Sequence, residues 1–199
     1  FTTSKGLLNV KVPYNGQTES ISRSIPLAMK QIDLQFYPEG GDYVNGIDSR
    51  VAFKAVDEFG KPVDVSGTVY NHKDDPVADF SSFHDGMGAF NMTPAPGHTY
   101  YARITKPSGI EQSFDLPEAL PEGYTLSVAH KGEEKLELTL KASQAETLGI
   151  IGRMRGTIYY QQAVALKKGE AKSLTLRTED FPMGVAQFTL FDKDKIERA

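Results

Sequence analysis

Apolar and polar residues alternate with a period of two through most of the chain. In KLELTL, Leu136, Leu138 and Leu140 share one face of an extended segment while Lys135, Glu137 and Thr139 share the other. The same alternation runs through Ile32, Leu34 and Phe36, through Ile110, Phe114 and Leu116, through Tyr124, Leu126 and Val128, and through Ala186, Phe188 and Leu190. Each stretch reads as a half-buried β-strand. No window of twelve residues sustains the three-and-four spacing of an amphipathic helix, and proline or glycine interrupts nearly every candidate.

Turn-forming clusters punctuate these runs every 8–12 residues or so, at PEGGDYVNG, EFGKP, HKDDP, HDGMG, PAPGH, KPSG, PEALPEG and KKGE, a spacing typical of β-sandwiches. Seven strands are expected near residues 32–37, 49–57, 64–71, 76–83, 88–93, 98–105 and 109–116. Pro117 and Pro121 in LPEALPEG then deny ladder donors and hold the chain semi-extended, as in a linker. Six further strands are expected near 123–130, 134–140, 146–154, 156–166, 171–177 and 184–191, so the second set is expected to lack a last strand. Two more, GLLNVKVP and TESISRSIPL, flank YNGQ, where Asn15 and Gly16 signal a two-residue hairpin turn. A lone hairpin is marginal in water, so these are expected to close a preceding domain or to lie against a following one. The division is therefore 1–30 as closing strands or a hairpin, 31–116 as one sandwich and 117–199 as a second. The fold class is all-β, with tandem immunoglobulin-like antiparallel sandwiches of about seven strands each.

Composition narrows the chemistry. The net charge is -4, from 22 basic and 26 acidic residues without a basic block, which argues against nucleic acid as a partner. No apolar run approaches the ~20 residues of a membrane-crossing helix, so no direct membrane insertion by this chain is expected. Cysteine is absent, which excludes thiol nucleophiles, thiolate zinc sites and disulfides. The chain begins at Phe1 with no signal-peptide pattern and reads as part of a longer polypeptide.

The stretch most like an active site is SSFHDGMGAF, with His84 beside Asp85 and two glycines after them. A hairpin bend accounts for it better: Asp tolerates turn geometry, Gly supplies positive φ, and an adjacent Asp85 is expected to point away from His84. The four histidines, His72, His84, His98 and His130, sit alone near predicted strand ends. Asp74, Asp75 and Asp79, and likewise Asp192, Asp194 and Glu197, resemble pieces of a calcium loop, but the rest of the ligand set is missing after Asp194. PEGGDYVNG lacks the lysine and following helix of a phosphate loop. Tyr100 and Tyr101, and Tyr159 and Tyr160, fall on strands, so one of each pair faces inward and the other is free for a sugar or protein partner; the absence of tryptophan weakens the sugar reading. No catalytic, cofactor or metal residue is assigned, and no enzyme activity is expected.

The succession FYPEGGDYVNGIDSRVAFKAVDEFGKPVDVSGTVYN, FSSFHDGMGAFNMTPAPGHTYYARI and FDLPEALPEGYTLSV resembles the macroglobulin-type domains (alpha-2-macroglobulin-like, MG2-type) of large bacterial cell-envelope proteins. GIIGRMRGTIYY and FPMGVAQFTLFD resemble a second such domain. The resemblance implies seven-stranded sandwiches in series, acting as structural and interaction modules in the periplasm or at the outer-membrane surface. Some relatives are associated with TonB-dependent outer-membrane receptors. The implied partners are other domains of the same polypeptide and an envelope protein or peptide. Without cysteine, the thioester used by that family for covalent trapping cannot form in this chain. A glycan- or peptide-binding module is the alternative, and a hydrolase built on His84 with a carboxylate and a hydroxyl is the third reading.

Overall fold

The computed structural model describes residues 5–14, 16–26 and 31–198. Fifteen strands run through them, joined by turns and one short 3-10 segment at Thr178–Asp180. The first two, β1 (Lys5–Tyr14) and β2 (Gln17–Pro26), form a two-stranded antiparallel hairpin with Tyr14 opposite Gln17. Gly16 takes a φ of +78°, while Asn15, and Leu27 at the end of the expected second strand, lie outside the described residues. The side chains of residues 8–14 and 16–23 are all exposed.

Two separate hydrophobic cores divide the remaining strands. The first belongs to β3 (Ile32–Pro38), β4 (Ser49–Asp57), β5 (Ser66–Asn71), β6 (Pro76–His84), β7 (Met87–Met92), β8 (Tyr100–Lys106) and β9 (Ser113–Asp115). They make one continuous sheet in the order β3-β4-β7-β6-β5-β8-β9. Strand β6 carries the sheet from one layer to the other: residues 76–81 pair with β5, and Ser82 and His84 pair with β7 with a register break between them. Such a break bends a strand, which lets β3-β4-β7 face β5-β8-β9 across one core. Alternation supplies that core directly, with Ile32, Leu34 and Phe36 from β3, Val51, Phe53 and Ala55 from β4, Phe90 and Met92 from β7, and Ala102 and Ile104 from β8 all buried. Phe53 and Phe80 meet edge to face with ring centroids 5.1 Å apart. The strand expected over 109–116 is reduced to Ser113–Asp115, the residues that pair with β8, although Ile110 and Leu116 still pack on the core.

The second core is enclosed by β10 (Tyr124–His130), β11 (Lys135–Ala142), β12 (Glu146–Met154), β13 (Thr157–Leu166), β14 (Ala171–Arg177) and β15 (Gln187–Phe191). Here two three-stranded sheets remain separate, β10-β11-β14 and β13-β12-β15. Leu138, Leu140, Leu148, Ile150 and Leu190 are fully buried between them.

The segment between the cores is strapped to both. The Asn45 N–H donates to the Leu120 carbonyl (2.9 Å) and the Leu120 N–H to the Tyr43 carbonyl (2.8 Å). Gly123 exchanges backbone and side-chain bonds with Ser143, and Lys141 Nζ donates to the Asp48 carbonyl at 2.8 Å. Val44 is wholly buried, and a Cβ on Gly123 would lie 3.0 Å from its Cγ2.

Candidate functional site

The SSFHDGMGAF stretch is the β6–β7 hairpin. Asp85 (φ +45°) and Gly86 (φ +73°) form its two-residue turn, with His84 paired opposite Met87. Both positive φ values match the turn that follows the right-handed twist of the strands. The tip is wedged against its neighbours. Gly86 donates to Asp64 Oδ1 (3.0 Å), and its own carbonyl accepts from the Ala55 N–H (2.8 Å). A Cβ on Gly88 would stand 2.3 Å from Phe53 Cζ, so close packing as well as turning selects glycine here. The expectation that Asp85 points away from His84 is corrected: His84 Nε2 lies 3.3 Å from Asp85 Oδ2. Opposite-facing neighbours are a rule for strands, and Asp85 sits in the turn. The pair is 69% and 68% exposed, and the neighbouring Ser82 hydroxyl is occupied by the Val65 N–H. The pair therefore stands in solvent on the tip of a hairpin.

The reading of four isolated histidines is also corrected. His72 and His98 meet edge to face at 4.6 Å between ring centroids, and His98 stacks on Tyr100. Strands β5 and β8 are antiparallel neighbours with Asn71 opposite Tyr100, so the residues just beyond those ends converge. His130 ends β10, far along the chain from that pair. Among the described residues, no group of three or more His, Asp or Glu side chains is gathered to hold a metal ion.

The acidic residues serve local structure. Asp75 accepts from the Asn71 side chain, and Asp79 from the Thr68 hydroxyl at 2.7 Å. Asp192 accepts the Asp194 and Ile196 N–H groups at 2.9 Å each and Arg198 Nε at 2.8 Å. The Ile196 N–H, with the Arg198 guanidinium, holds its carboxyl below the ordinary aspartate range.

One cluster has no counterpart in the expectations from sequence. On the outer surface of the first unit, Tyr70 and Tyr101 stack with centroids 5.7 Å apart, and the Arg103 guanidinium lies 5.3 and 5.0 Å from the two rings. Asp74 accepts hydrogen bonds from the Tyr101 hydroxyl and from Arg103. The bond to Asp74 raises the Tyr101 hydroxyl above the ordinary tyrosine range. Its sequence signal is the period of two across paired strands: Tyr101 and Arg103 share a face of β8, and Tyr70 lies opposite Tyr101. The paired tyrosines otherwise divide as alternation requires, with Tyr100 buried and Tyr159 exposed.

No protein-family model and no curated protein sequence matches this chain. Solved structures with a similar strand arrangement include domains 4–9 of the surface layer protein SbsC, with 15% identity and a TM-score of 0.41 over 98% of this chain and 34% of that one. They include the native conformation of Escherichia coli alpha-2-macroglobulin, with 12% identity and a TM-score of 0.28 over 94% of this chain and 16% of that one. The BSP domain of a biofilm associated protein shares 13% identity and a TM-score of 0.34 over 80% of this chain and 27% of that one. The chain thus spans about a third or less of each of these structures. Its fold class, an all-β antiparallel sandwich of immunoglobulin-like type, is established by its own strand order.

Proposed function

We propose that residues 31–116 and 117–199 are consecutive non-catalytic spacer and interaction modules of a large macroglobulin-like bacterial cell-envelope protein, and that residues 1–30 close a preceding β domain. In this reading the chain works in the periplasm or at the outer-membrane surface, beside a TonB-dependent receptor, and its partners are other domains of its own polypeptide and an envelope protein or peptide. The observation that supports a spacer most strongly is the junction. Leu120 is laddered to Tyr43 and Asn45 on one side, and Gly123 is bonded to Ser143 three residues later, which leaves little free chain for a hinge. Domain interfaces within a chain permit relative motion unless such contacts oppose it. The test is small-angle scattering on the chain and on Leu120→Pro, which removes the N–H donated to Tyr43. A single compact arrangement that broadens in the variant is expected; parent units that already move independently would overturn the spacer reading.

The glycan- or peptide-binding alternative draws support from the stack of the half-buried Tyr70 and Tyr101 with the exposed Arg103, because tyrosine and arginine side chains are common anchors. Glycan-array or peptide binding that Tyr101→Ala abolishes would move the assignment to that class.

A further inference from the structure

His72 and His98 stand where β5 ends and β8 is about to begin. Asn71 is the last residue of β5, and it pairs with Tyr100, the first of β8. The two imidazoles meet with centroids 4.6 Å apart and ring planes at 80°. Each is carried by a backbone that the unit has already fixed. The turn after β5 is pinned by the Asn71 side chain, whose oxygen accepts the Lys73 N–H at 2.8 Å and the Asp75 N–H at 3.0 Å and whose amide donates to Asp75 Oδ2 at 3.1 Å. The Asp74 N–H adds a bond to the Asn71 carbonyl at 3.0 Å. On the other side the His98 N–H donates to the Ala95 carbonyl at 3.2 Å, and the His98 ring stacks on Tyr100, whose hydroxyl accepts the Ala95 N–H at 2.8 Å. Asn71 and Tyr100 are each 8% exposed, so both anchors belong to the interior, whereas His72 is exposed and His98 half-buried.

Among the described residues, no hydrogen bond or ion pair occupies an imidazole nitrogen of His72 or His98, in contrast to His84, which is paired with Asp85. Packing accounts poorly for such a pair, because contact at an exposed ring hides little apolar surface from water. Metal coordination accounts for it better. With Zn–N at about 2.0–2.1 Å and a tetrahedral angle, the centroids of two imidazoles on one ion stand about 5 Å apart. A small rotation of the exposed His72 side chain reaches that spacing from the one observed. Imidazole nitrogen selects the ion: it suits zinc, nickel and copper, whereas calcium and magnesium require a set of oxygen ligands.

We propose that His72 and His98 form a two-histidine site for a divalent transition-metal ion, zinc being the reference case, at the end of the first unit where β5 and β8 meet. Water fills the remaining coordination positions, since the chain gathers no third His, Asp or Glu there among the described residues. The first imidazole to bind brings the second to the ion at high effective concentration, so the pair holds metal more tightly than a single surface histidine does. The fixed turns on either side reduce the ordering that binding requires.

The test is a titration of the chain with Zn²⁺ alone, with the imidazole nitrogens of its four histidines followed by NMR. The His72 and His98 signals are expected to shift together and to saturate at one ion per chain, with His84 and His130 responding only at concentrations at least tenfold higher. His72→Gln and His98→Gln should each weaken binding at least tenfold, His84→Gln should leave it unchanged, and Ca²⁺ should produce no shift. Parallel responses from all four histidines would overturn the proposal, as would variants of His72 and His98 that bind as tightly as the parent. Saturation at one ion per two chains would overturn it too, because the ion would then be bridging copies. Should His98→Gln fail to fold, the exposed His72→Gln variant and the joint shift in the parent chain decide the matter. Neither the spacer reading nor the glycan- or peptide-binding reading enters this experiment, and each can fail or succeed independently of it.

Discussion

The two sandwich units share a strand order: β3-β4-β7 matches β10-β11-β14, and β6-β5-β8 matches β13-β12-β15. They differ in how the layers are closed. In the first, β6 passes between layers and β9 covers the edge of β8, and the residues on the inner faces are almost all buried. In the second, the layers are separate and, among the described residues, only Glu197 and Arg198 meet the outer edge of β15; Val128, Leu136 and Phe188 keep contact with solvent although their places in the alternation equal those of core residues. Alternation decides which face of a strand turns inward. Whether that face is dry depends on whether the neighbouring strand is present.

Truncating one aromatic side chain in each unit tests this contrast most strongly. Phe53→Ala, at a residue 2% exposed and packed on Phe80, is expected to destabilise the first unit by about 3–5 kcal/mol, whereas Phe188→Ala, in the groove that Phe188 lines with Leu126, Val128 and Leu136, should cost the second well under half of that. Denaturant titration of both variants reads the difference, and equal losses would mean that the groove is as well packed as the closed core. A smaller effect is expected from Gly88→Ala. Its methyl group would meet Phe53 Cζ and the Ser81 carbonyl at 2.3 and 2.5 Å, an overpacking worth about 1–3 kcal/mol, and the loss should appear in the first unit's unfolding alone. The smallest effect concerns acid. Asp192 titrates below its unfolded value, so its contribution is complete above about pH 4, the ordinary aspartate value, and is lost as the pH falls through the depressed folded value. Amide exchange at Ile196 and Arg198 should therefore accelerate in strong acid before the first unit loosens; simultaneous loosening would remove the distinction between the units.

Much of the fold was legible because the strands are amphipathic and the turns carry their own chemistry. The expected segments 49–57 and 146–154 coincide with β4, which lies between Asp48 and Glu58, and with β12, which ends at the Arg155–Gly156 turn. The hairpin at Asp85–Gly86 was legible for the same reason, since positive φ at successive positions favours these residue types. The contact between His84 and Asp85, the meeting of His72 with His98, and the stack of Tyr70, Tyr101 and Arg103 were not. The first depends on the local curl of the turn. The other two depend on β5 lying beside β8, a neighbour about thirty residues away whose register no local pattern encodes.

By itself, then, the sequence determined that the chain is built of strands and roughly where they run, which side chains face inward, and that no thiol chemistry is available. Those properties follow from period-two alternation, turn preference and composition, all of them local. Tertiary structure alone decided that β6 joins two layers, that Leu120 is tied to Tyr43 and Asn45, and that Tyr70, Tyr101 and Arg103 stack together. Each of these is a pairing between distant segments, and backbone hydrogen bonds, identical at every residue, leave no mark on the side chains that would name the partner.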